Sequence, residues 1–258
     1  QYAIDEARAA GIEEFIFVTA KGKSALEDYF DSAGSLERAL EEKGKTDLLA
    51  EVQRATMPSG AIAYIRQQEA LGLGHAVWCA RRLVGDKPFA VILPDDVIHT
   101  GGGKGCMAQM VEAYAETGPQ SSMVAAVEVP PEGVSSYGIL DIDADDGALV
   151  KARGMVEKPK PAEAPSRTAV IGRYILAPKV MESLEAMKTG AGGEIQLTDA
   201  IAEQVGAGVY GYRFRGTRYD CGSKQGFLQA TVAFALMRDD LAGEFAAFLR
   251  GVAKGEAA

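Results

Sequence analysis

The chain alternates between short runs of apolar or β-branched residues and longer stretches in which apolar residues recur at helical spacing. The short runs predict strands at 14–20, 61–67, 89–93, 123–129, 138–142, 154–158, 168–176 and 209–214. The amphipathic stretches predict helices at 2–10, 35–43, 47–56, 75–84, 105–117, 178–187, 195–205 and 223–237. Strands interleaved with helices favour an α/β fold with a mostly parallel sheet and helices on both faces. Closely spaced strands and Pro/Gly turns between 130 and 160 predict a small antiparallel subregion.

Composition places the chain among ordinary globular proteins. It has 258 residues, of which 47% are hydrophobic and 24% charged, and no linker divides it, so we expect a single domain over 1–258. No apolar run approaches the roughly 18 residues that a membrane-spanning helix needs, so no membrane partner is expected. A net charge of −9 without any block of Lys or Arg argues against a nucleic-acid partner.

Cysteine and histidine usage limits the redox and metal chemistry of the chain. The three scattered cysteines are too few for a disulfide framework or a thiolate zinc site, which favours a reducing cytoplasm. Two histidines exclude a multi-histidine transition-metal centre. A bound metal would therefore be held by carboxylates, the ligands that Mg²⁺ prefers.

A helix predicted at 2–10 opens the chain, and a strand at 14–20 follows it directly. In an alternating α/β chain such a helix normally returns from an earlier strand. We therefore expect a further strand and its loop upstream of Gln1. The first strand-to-helix loop of an open α/β sheet often carries phosphate-binding groups.

Two aspartates follow the predicted strand 89–93, in the segment FAVILPDDV. Pro94 cannot donate to a strand ladder, so Asp95 and Asp96 should emerge at the strand's carboxyl end, where ligands of α/β sheets bind. Successive side chains of an extended chain point to opposite faces, so only one of the two should face a ligand. A carboxylate there could hold Mg²⁺ against a triphosphate. Alternatively, Pro-Asp-Asp only turns the chain and caps the next helix.

A glycine-containing segment, RQQEALGLGHAV, joins the predicted strand 61–67 to a helix. Gly72 and Gly74 would let backbone approach a flat base or a phosphate near the positive end of that helix. The amide of Gln67 could both donate to and accept from a pyrimidine edge. A tight turn is the simpler explanation of the glycines, and His75 is expected to start or pack the helix.

The segment MVEKPKP places a carboxylate beside an ammonium group. Glu157 offers two acceptor oxygens for adjacent sugar hydroxyls, and Lys158 carries a charge suited to a phosphate. Neighbouring side chains of an extended segment diverge, so these two could contact different parts of one ligand. The competing interpretation is a solvated ion pair at the surface.

Three further positions complete the candidate set. Gly138 could expose its backbone N–H to a substrate, and Gly172 is unfavourable inside a strand unless a backbone or a ligand comes close. Asp220, between a strand and a helix, is a second possible metal ligand or merely an N-terminal cap. Cys221 has no predicted histidine partner nearby, so we do not expect it to act as a nucleophile.

Seven segments, taken in order, carry a resemblance to a known family. They read AIDEARAAGIEEFIFVT, RQxxxxGLGHAV, VILPDDV, SYGILD, VEKPKPxxAPSxxAVIGRYIL, GGEIQLTDAI and YDCGxKxGFLQA. Together they resemble bacterial UTP–glucose-1-phosphate uridylyltransferases, also called UDP-glucose pyrophosphorylases, from Gln1 to about Leu236. The resemblance implies a Rossmann-like fold of the nucleotide-diphospho-sugar transferase type, Mg²⁺ dependence, and a homodimer or homotetramer in the cytoplasm.

The resemblance also implies roles for individual residues on the nucleotide and metal side. Gln67 and Gly72 match the residues that read the uracil base. Asp95 matches the metal-binding aspartate and is expected to be catalytic. Asp220 matches a carboxylate that assists the metal in related sugar nucleotidyltransferases.

On the sugar side, the implied contacts come from four residues. Gly138, Glu157 and Gly172 match contacts to the glucose ring. Lys158 matches the lysine on the sugar phosphate and is the second expected catalytic residue. The implied substrates are UTP and glucose 1-phosphate, joined by in-line attack of a phosphate oxygen on the α-phosphorus of UTP.

One departure from the family pattern concerns the start of the chain. The family begins with a Gly-rich nucleotide loop and a lysine-bearing stretch, which are expected before Gln1 and are not in this sequence. These 258 residues by themselves are therefore expected to be nearly inactive, and the natural protein is expected to have that loop.

Three alternatives remain open at this point. A thymidylyltransferase that uses dTTP differs in its substrate base by one methyl group, although GLGHA and YDCG favour UTP. A non-catalytic paralogue that binds a sugar nucleotide and regulates an active partner is disfavoured by the set Asp95, Glu157 and Lys158. An NAD-dependent oxidoreductase is remote, because no GxGxxG follows a strand.

Overall fold

The fold alternates strands and helices over residues 1–255, the part of the chain that a computed structural model describes. The strands are β1 (Phe15–Thr19), β2 (Ile62–Arg66), β3 (Phe89–Ile92), β4 (Asp96–His99), β5 (Ser122–Glu128), β6 (Gly138–Asp146), β7 (Leu149–Glu157), β8 (Thr168–Leu176), β9 (Val209–Arg213) and β10 (Thr217–Asp220). The α-helices are α1 (Tyr2–Ala9), α2 (Ser24–Phe30), α3 (Gly34–Glu42), α4 (Thr46–Ala55), α5 (Leu73–Cys79), α6 (Arg81–Val84), α7 (Cys106–Tyr114), α8 (Val180–Glu185), α9 (Leu197–Ala202), α10 (Lys224–Leu236) and α11 (Ala242–Lys254).

Every predicted strand and helix has a counterpart among these elements, and the predicted helix 75–84 is divided into α5 and α6. The sequence pattern missed β4, β10, α2 and α11. Strands of four residues, such as β4 and β10, are too short to show a clear period of two. None of the residues of α11 is fully buried, although Ala242, Phe245, Ala246 and Leu249 form a half-buried stripe at helical spacing.

The main sheet has six strands in the order β3-β8-β5-β9-β7-β6. Parallel pairing joins β5 to β9, and a separate parallel pair joins β1 to β2. The predicted antiparallel subregion is the hairpin of β6 and β7, in which Gly138 lies opposite Glu157. Antiparallel pairing extends further than in the mostly parallel sheet that the sequence predicts. Among the described residues, β5 with β9 is the one parallel pair of the six-stranded sheet, and β8 runs opposite to both of its neighbours, β3 and β5.

Strand β8 is buried along its whole length and has helices on both sides. Val170 and Tyr174 pack into the larger apolar cluster, which includes residues of α5, α8 and α9. Ile171 and Ile175 point the other way and pack with the methionines of α7. The α/β class with helices on both faces of the sheet is thereby confirmed.

Strand β3 is half-buried, although its five apolar residues predict a strand covered on both faces. Within the described residues it is the last strand on its side of the six-stranded order. Its carboxyl end still leads directly into Pro94 and Asp95, as the sequence predicts.

None of the helices between residues 1 and 255 combines the length and the apolar character that crossing a bilayer requires.

Candidate functional site

The pairing of β4 with β10 brings the carboxylates of Asp95 and Asp220 close together. The strands pair antiparallel with Asp96 opposite Asp220, and the N–H of Cys221 donates to the carbonyl of Asp95 over 2.7 Å. A β-carbon at Gly222 would lie 3.1 Å from Oδ1 of Asp220 and 3.5 Å from Oδ2 of Asp95. Both carboxylates therefore border the same small space, which the glycine keeps open.

The two consecutive aspartates have opposite environments, as an extended backbone predicts. Asp95 is exposed, whereas Asp96 is only 6% exposed. Oδ2 of Asp96 accepts a hydrogen bond from the backbone N–H of Gly172 over 2.7 Å. Asp96 is therefore satisfied inside the protein, and Asp95 is the carboxylate available to a ligand.

Arg218 connects the carboxylates of Asp96 and Asp220 to the hydroxyl of Tyr137. Its Nε donates to Oδ1 of Asp96, its Nη2 lies 3.8 Å from Oδ2 of Asp220, and its Nη1 donates to the Tyr137 hydroxyl over 2.9 Å. Burial lowers the pKa of Arg218, but the charge of Asp96 and the hydrogen bonds to Tyr137 and Asp96 raise it on balance. The guanidinium therefore stays charged next to three acceptors.

Glu157 lies between Gly138 and Lys158. A β-carbon at Gly138 would lie 3.1 Å from Oε2 of Glu157 and 2.9 Å from the hydroxyl of Thr198. Oε1 of Glu157 is 3.5 Å from Nζ of Lys158, and the two side chains are 10% and 50% exposed. The carboxylate of Glu157 is therefore largely sheltered from solvent. The alternative interpretation of this pair as a fully solvated surface ion pair is wrong.

The prediction that the side chains of Glu157 and Lys158 diverge is wrong, because the backbone of Lys158 is not extended. Its φ of +47° lies in the left-handed region, and its N–H donates to the carbonyl of Tyr137 over 3.0 Å. This conformation costs a non-glycine residue roughly 1–2 kcal/mol. Strain of this kind concentrates at functional sites, where the surrounding structure holds it in place.

Gly72 and Gly74 pack against the backbone that precedes α9. Gly72 has a φ of +107°, and a β-carbon there would lie 2.8 Å from the carbonyl oxygen of Ile195. The N–H of Gly74 donates to that same oxygen over 2.8 Å. Nε2 of Gln67 donates to the carbonyl of Gly72 over 3.1 Å. Internal packing alone thus requires both glycines, and their contact with a base remains a prediction.

Gly172 faces protein atoms in the structure. A β-carbon at this position would lie 2.7 Å from Oδ2 of Asp96 and 2.7 Å from Cβ of Leu93. The close approach that the sequence leads us to expect at Gly172 is therefore made by neighbouring protein atoms. A contact from Gly172 to a sugar stays a prediction.

Two connections hold these groups next to one another. The segment 194–198 touches Gly72 through Ile195 and Gly138 through Thr198. Arg218 and Tyr137 connect the residue before Gly138 to the carboxylates of β4 and β10. The structure thus brings the predicted base, sugar and metal residues to one region of the molecule.

Sequence reasoning assigned no role to Thr198, Asp199 or Arg218. Burial raises the pKa of Asp199, and the charges of Glu157 and Glu203 raise it further, so Asp199 belongs to the same acidic neighbourhood. The sequence offered two hints of these residues. Thr198 and Asp199 lie in the motif GGEIQLTDAI, and Arg218 stands two residues before Asp220. Their spacing alone does not reveal which distant residues they meet.

The carboxylates of Asp95 and Asp220 fit a magnesium ion. Mg²⁺ is commonly held in proteins by one or two carboxylates together with waters and substrate phosphates. Within residues 1–255, no group of three or more His, Cys, Asp or Glu side chains is arranged to hold a metal by itself. The two carboxylates that border Gly222 therefore suit an ion that also needs phosphate oxygens.

Cys221 lies beside these carboxylates, and its environment disfavours a thiolate. Burial raises the pKa of its thiol, and the negative charges of Asp220, Asp95 and Asp96 raise it further. A thiol held in this form is a poor nucleophile.

The chain is similar to known nucleotidyltransferases along most of its length. The family model described as nucleotidyl transferase matches residues 1–235. The UTP–glucose-1-phosphate uridylyltransferase of Bacillus subtilis (strain 168) is 45% identical, and the match covers 99% of this chain and 86% of the relative.

Solved structures give the same result for the fold. A UTP-bound UGPase from Acinetobacter baumannii is 40% identical with a TM-score of 0.86, covering 96% of this chain and 86% of that one. A UDP-glucose pyrophosphorylase complexed with UDP-glucose is 39% identical with a TM-score of 0.79, covering 92% and 86%. The predicted fold type is confirmed. The chain belongs to the nucleotidyl transferase family and, within it, to the UTP–glucose-1-phosphate uridylyltransferases, which are enzymes.

Proposed function

We propose that the chain transfers the uridylyl group of UTP to glucose 1-phosphate, forming UDP-glucose and pyrophosphate. The observation that carries this proposal is the 45% identity, over 99% of the chain, to a relative named for that reaction. Solved relatives hold UTP in one case and UDP-glucose in another, which are a substrate and a product of this transfer.

On the nucleotide side, we propose that Gln67 and Gly72 contact the uracil base. The amide of Gln67 is held against the carbonyl of Gly72 at the start of α5. The oxygen of this amide can accept from a donor on the edge of a pyrimidine, and the half-buried backbone of Gly72 lies beside it.

On the sugar side, Glu157 accepts from the glucose hydroxyls, and the contacts to the glucose ring at Gly138 and Gly172 that the resemblance implies belong to the same proposal. Lys158 contacts the sugar phosphate, because its ammonium group is half-exposed beside the sheltered Glu157. The left-handed backbone of Lys158 fixes where that charge lies relative to the carboxylate.

Asp95 and Asp220 would hold Mg²⁺, since their carboxylates border one space and can accept an ion shared with phosphate oxygens. When bound, the ion supplies positive charge that offsets the repulsion between two anionic reactants. Arg218 keeps Asp96 and Asp220 in register with Tyr137 and so maintains the shape of this end of the site.

The reaction needs orientation more than it needs acid–base chemistry. An oxygen of glucose 1-phosphate forms a bond to the α-phosphorus of UTP, and the bond to the leaving pyrophosphate breaks in line. Because phosphate oxygens are already anionic near neutral pH, no general base has to create the nucleophile. Lys158 stabilises the charge that spreads over the phosphoryl oxygens in the transition state.

A pyrophosphate-release assay on full-length protein tests this function. Glucose 1-phosphate is offered with UTP, dTTP or CTP, each with and without Mg²⁺. UTP with Mg²⁺ should give the highest kcat/KM, and removal of the ion should abolish turnover. A higher kcat/KM with dTTP would assign the chain to thymidylyl transfer, and binding of sugar nucleotide without any turnover would favour a non-catalytic role.

The assembly and location follow as further parts of the proposal. We infer a homodimer or homotetramer, supported by apolar side chains that α10 and α11 expose, namely Phe227, Leu228, Phe248 and Val252. A cytoplasmic location suits the three free thiols, Cys79, Cys106 and Cys221. Light scattering during size-exclusion chromatography tests the oligomeric state, and a monomer at micromolar concentration contradicts it.

We also propose that residues 1–258 form one nucleotidyltransferase domain. The family model extends over residues 1–235, and the six-stranded sheet draws its strands from positions 89 to 213. A single cooperative unfolding transition is the expected result, and two separated transitions would contradict it.

A further inference from the structure

The side-chain amide of Gln67 is held by two acceptors that lie in the same short segment. Its Nε2 is 3.1 Å from the carbonyl oxygen of Gly72 and 3.0 Å from Nδ1 of His75. Its backbone N–H donates to the carbonyl of Thr19 over 2.9 Å, which ties the end of β2 to β1. Both the backbone and the side chain of Gln67 are therefore fixed.

The carbonyl of Gly72 decides which way the amide points. A carbonyl oxygen can only accept, so the amide nitrogen, and not Oε1, has to face it. The same nitrogen then meets Nδ1 of His75, which must be the unprotonated ring nitrogen that accepts. Both N–H bonds of the amide are consumed by the protein, and Oε1 is the atom that Gln67 can present to a ligand.

His75 is itself held in place along α5. Its Nε2, which carries the proton in this tautomer, is 3.9 Å from Sγ of Cys79. Its ring is stacked on Trp78 with a centroid distance of 5.9 Å and an interplanar angle of 22°. The guanidinium carbon of Arg81 lies 3.4 Å from the centroid of the same indole. This stack orients the imidazole so that Nδ1 faces Gln67.

We propose that His75 is a positioning residue that makes Gln67 an acceptor, and so selects a pyrimidine that carries a proton on N3. Uracil and thymine present an N3–H donor to Oε1, whereas cytosine presents an N3 acceptor and meets repulsion. The inference rests on the proposed function, in which Gln67 contacts the base. It assigns discrimination between uracil and cytosine to a residue that contacts Gln67 and does not itself contact the base.

Removing the acceptor from position 75 tests the assignment. In His75→Leu the side chain fills similar space without accepting, so the second N–H of Gln67 loses its acceptor. The amide, then held by Gly72 alone, can turn so that this N–H donates to N3 of cytosine. We expect the ratio of kcat/KM for UTP to that for CTP to fall on the order of tenfold, the effect of about one hydrogen bond. The ratio of Kd values for UTP and CTP, from calorimetry without glucose 1-phosphate, should fall in parallel.

Two matched variants separate this role from simple packing. His75→Asn restores an acceptor oxygen near the place of Nδ1, so it should recover most of the UTP preference. Cys79→Ala removes the contact on the other side of the ring and should leave the ratio as in the unchanged protein. If His75→Leu does not fold, the comparison of His75→Asn with His75→Ala provides the same test.

The possible results have distinct meanings. An unchanged UTP/CTP ratio in His75→Leu, with kcat/KM lowered equally for both nucleotides, would overturn the proposal and leave the proposed function intact. Failure of His75→Asn to recover more of the ratio than His75→Leu would also overturn it. If the unchanged full-length protein releases no pyrophosphate from UTP and glucose 1-phosphate, the proposed function and this inference fail together.

Discussion

Lys158 combines a positive charge with a backbone conformation that its own chemistry disfavours. Its φ of +47° lies in the left-handed region, and its ammonium group lies 3.5 Å from Oε1 of Glu157. A surface lysine without a function would gain by relaxing to an ordinary conformation. The strained backbone is consistent with a charge that must be held at one place, as the proposed contact with the sugar phosphate requires.

Replacing Lys158 with alanine should lower kcat/KM for UDP-glucose formation by an amount equivalent to about 2–4 kcal/mol of transition-state stabilisation. The charge that offsets the phosphoryl oxygens is lost, while the backbone keeps its conformation. Steady-state kinetics measure the effect. Lys160→Ala is the matched control, because that side chain is 81% exposed and pairs with Glu163 at the surface. Equal kinetics for the two variants would contradict the role of Lys158.

Asp95 offers a second test at the residue scale, since its carboxylate is exposed and separate from the buried contacts of Asp96. Asp95→Asn should preserve the melting temperature and reduce Mg²⁺-dependent turnover by roughly a hundredfold or more, because an amide binds the ion poorly. Asp143→Asn, an exposed carboxylate in β6, serves as the control and should change neither quantity. Retained turnover at ordinary Mg²⁺ concentrations would exclude Asp95 as a ligand.

At the scale of elements, the start of α5 packs against the segment before α9 more closely than side chains allow. Ile195 exchanges hydrogen bonds with Leu71 and Gly74 over 2.8 Å each. The glycines at 72 and 74 leave room for this backbone-to-backbone contact. The contact sets the position of Gly72 relative to Thr198, and therefore the spacing of the proposed base and sugar contacts.

Gly72→Ala should destabilise the protein by roughly 3 kcal/mol and raise KM for UTP. Part of the cost comes from the positive φ and part from a β-carbon 2.8 Å from the carbonyl oxygen of Ile195. Gly118→Ala isolates the first part, because its φ is +88° and nothing lies within 4 Å of the added carbon. Urea unfolding compares the two variants. The same loss of stability in both would show that the close approach contributes nothing.

At the scale of the molecule, Arg173 joins elements that are distant in the sequence. It is 1% exposed and pairs with Glu6 of α1 over 2.8 Å. Its guanidinium also donates to the carbonyls of Leu93, Gly172 and Asp96. This one side chain therefore ties α1 and the residues between β3 and β4 to the centre of the sheet.

Arg173→Met should lower the free energy of unfolding by about 3–5 kcal/mol, because the carboxylate of Glu6 then stays buried without its partner. The double variant Glu6→Leu/Arg173→Met should recover much of that loss. Arg153→Met provides the comparison at the surface, where solvent screens the pair with Asp141, so this variant should leave the free energy of unfolding almost unchanged. Additive losses in the double variant would mean that the two side chains do not act as a pair.

Short-range pattern was enough to predict much of the molecule. The strand 168–176 was located in full, and both hairpin strands around Gly138 and Glu157 were found, although each is longer than predicted. The opposite orientation of Asp95 and Asp96 follows from the two-residue repeat of extended backbone alone. The pairing of β4 with β10 was missed, because four residues carry too little periodicity and their partners lie more than a hundred positions apart.

Local sequence pattern was enough to predict the order of the elements, to show that no block of Lys or Arg is present for nucleic acid, and to supply the motif residues that assign the family. Those properties depend on residues within a few positions of one another, so they can be predicted from composition and spacing along the chain. Assembly of the fold is what joins Asp96 to Tyr137 through Arg218, packs Ile195 on Gly72, and lets Gly72 and His75 together hold the amide of Gln67. Those contacts depend on hydrogen-bond direction and on close approach between separated segments, and both are set only when the sheet and its helices assemble.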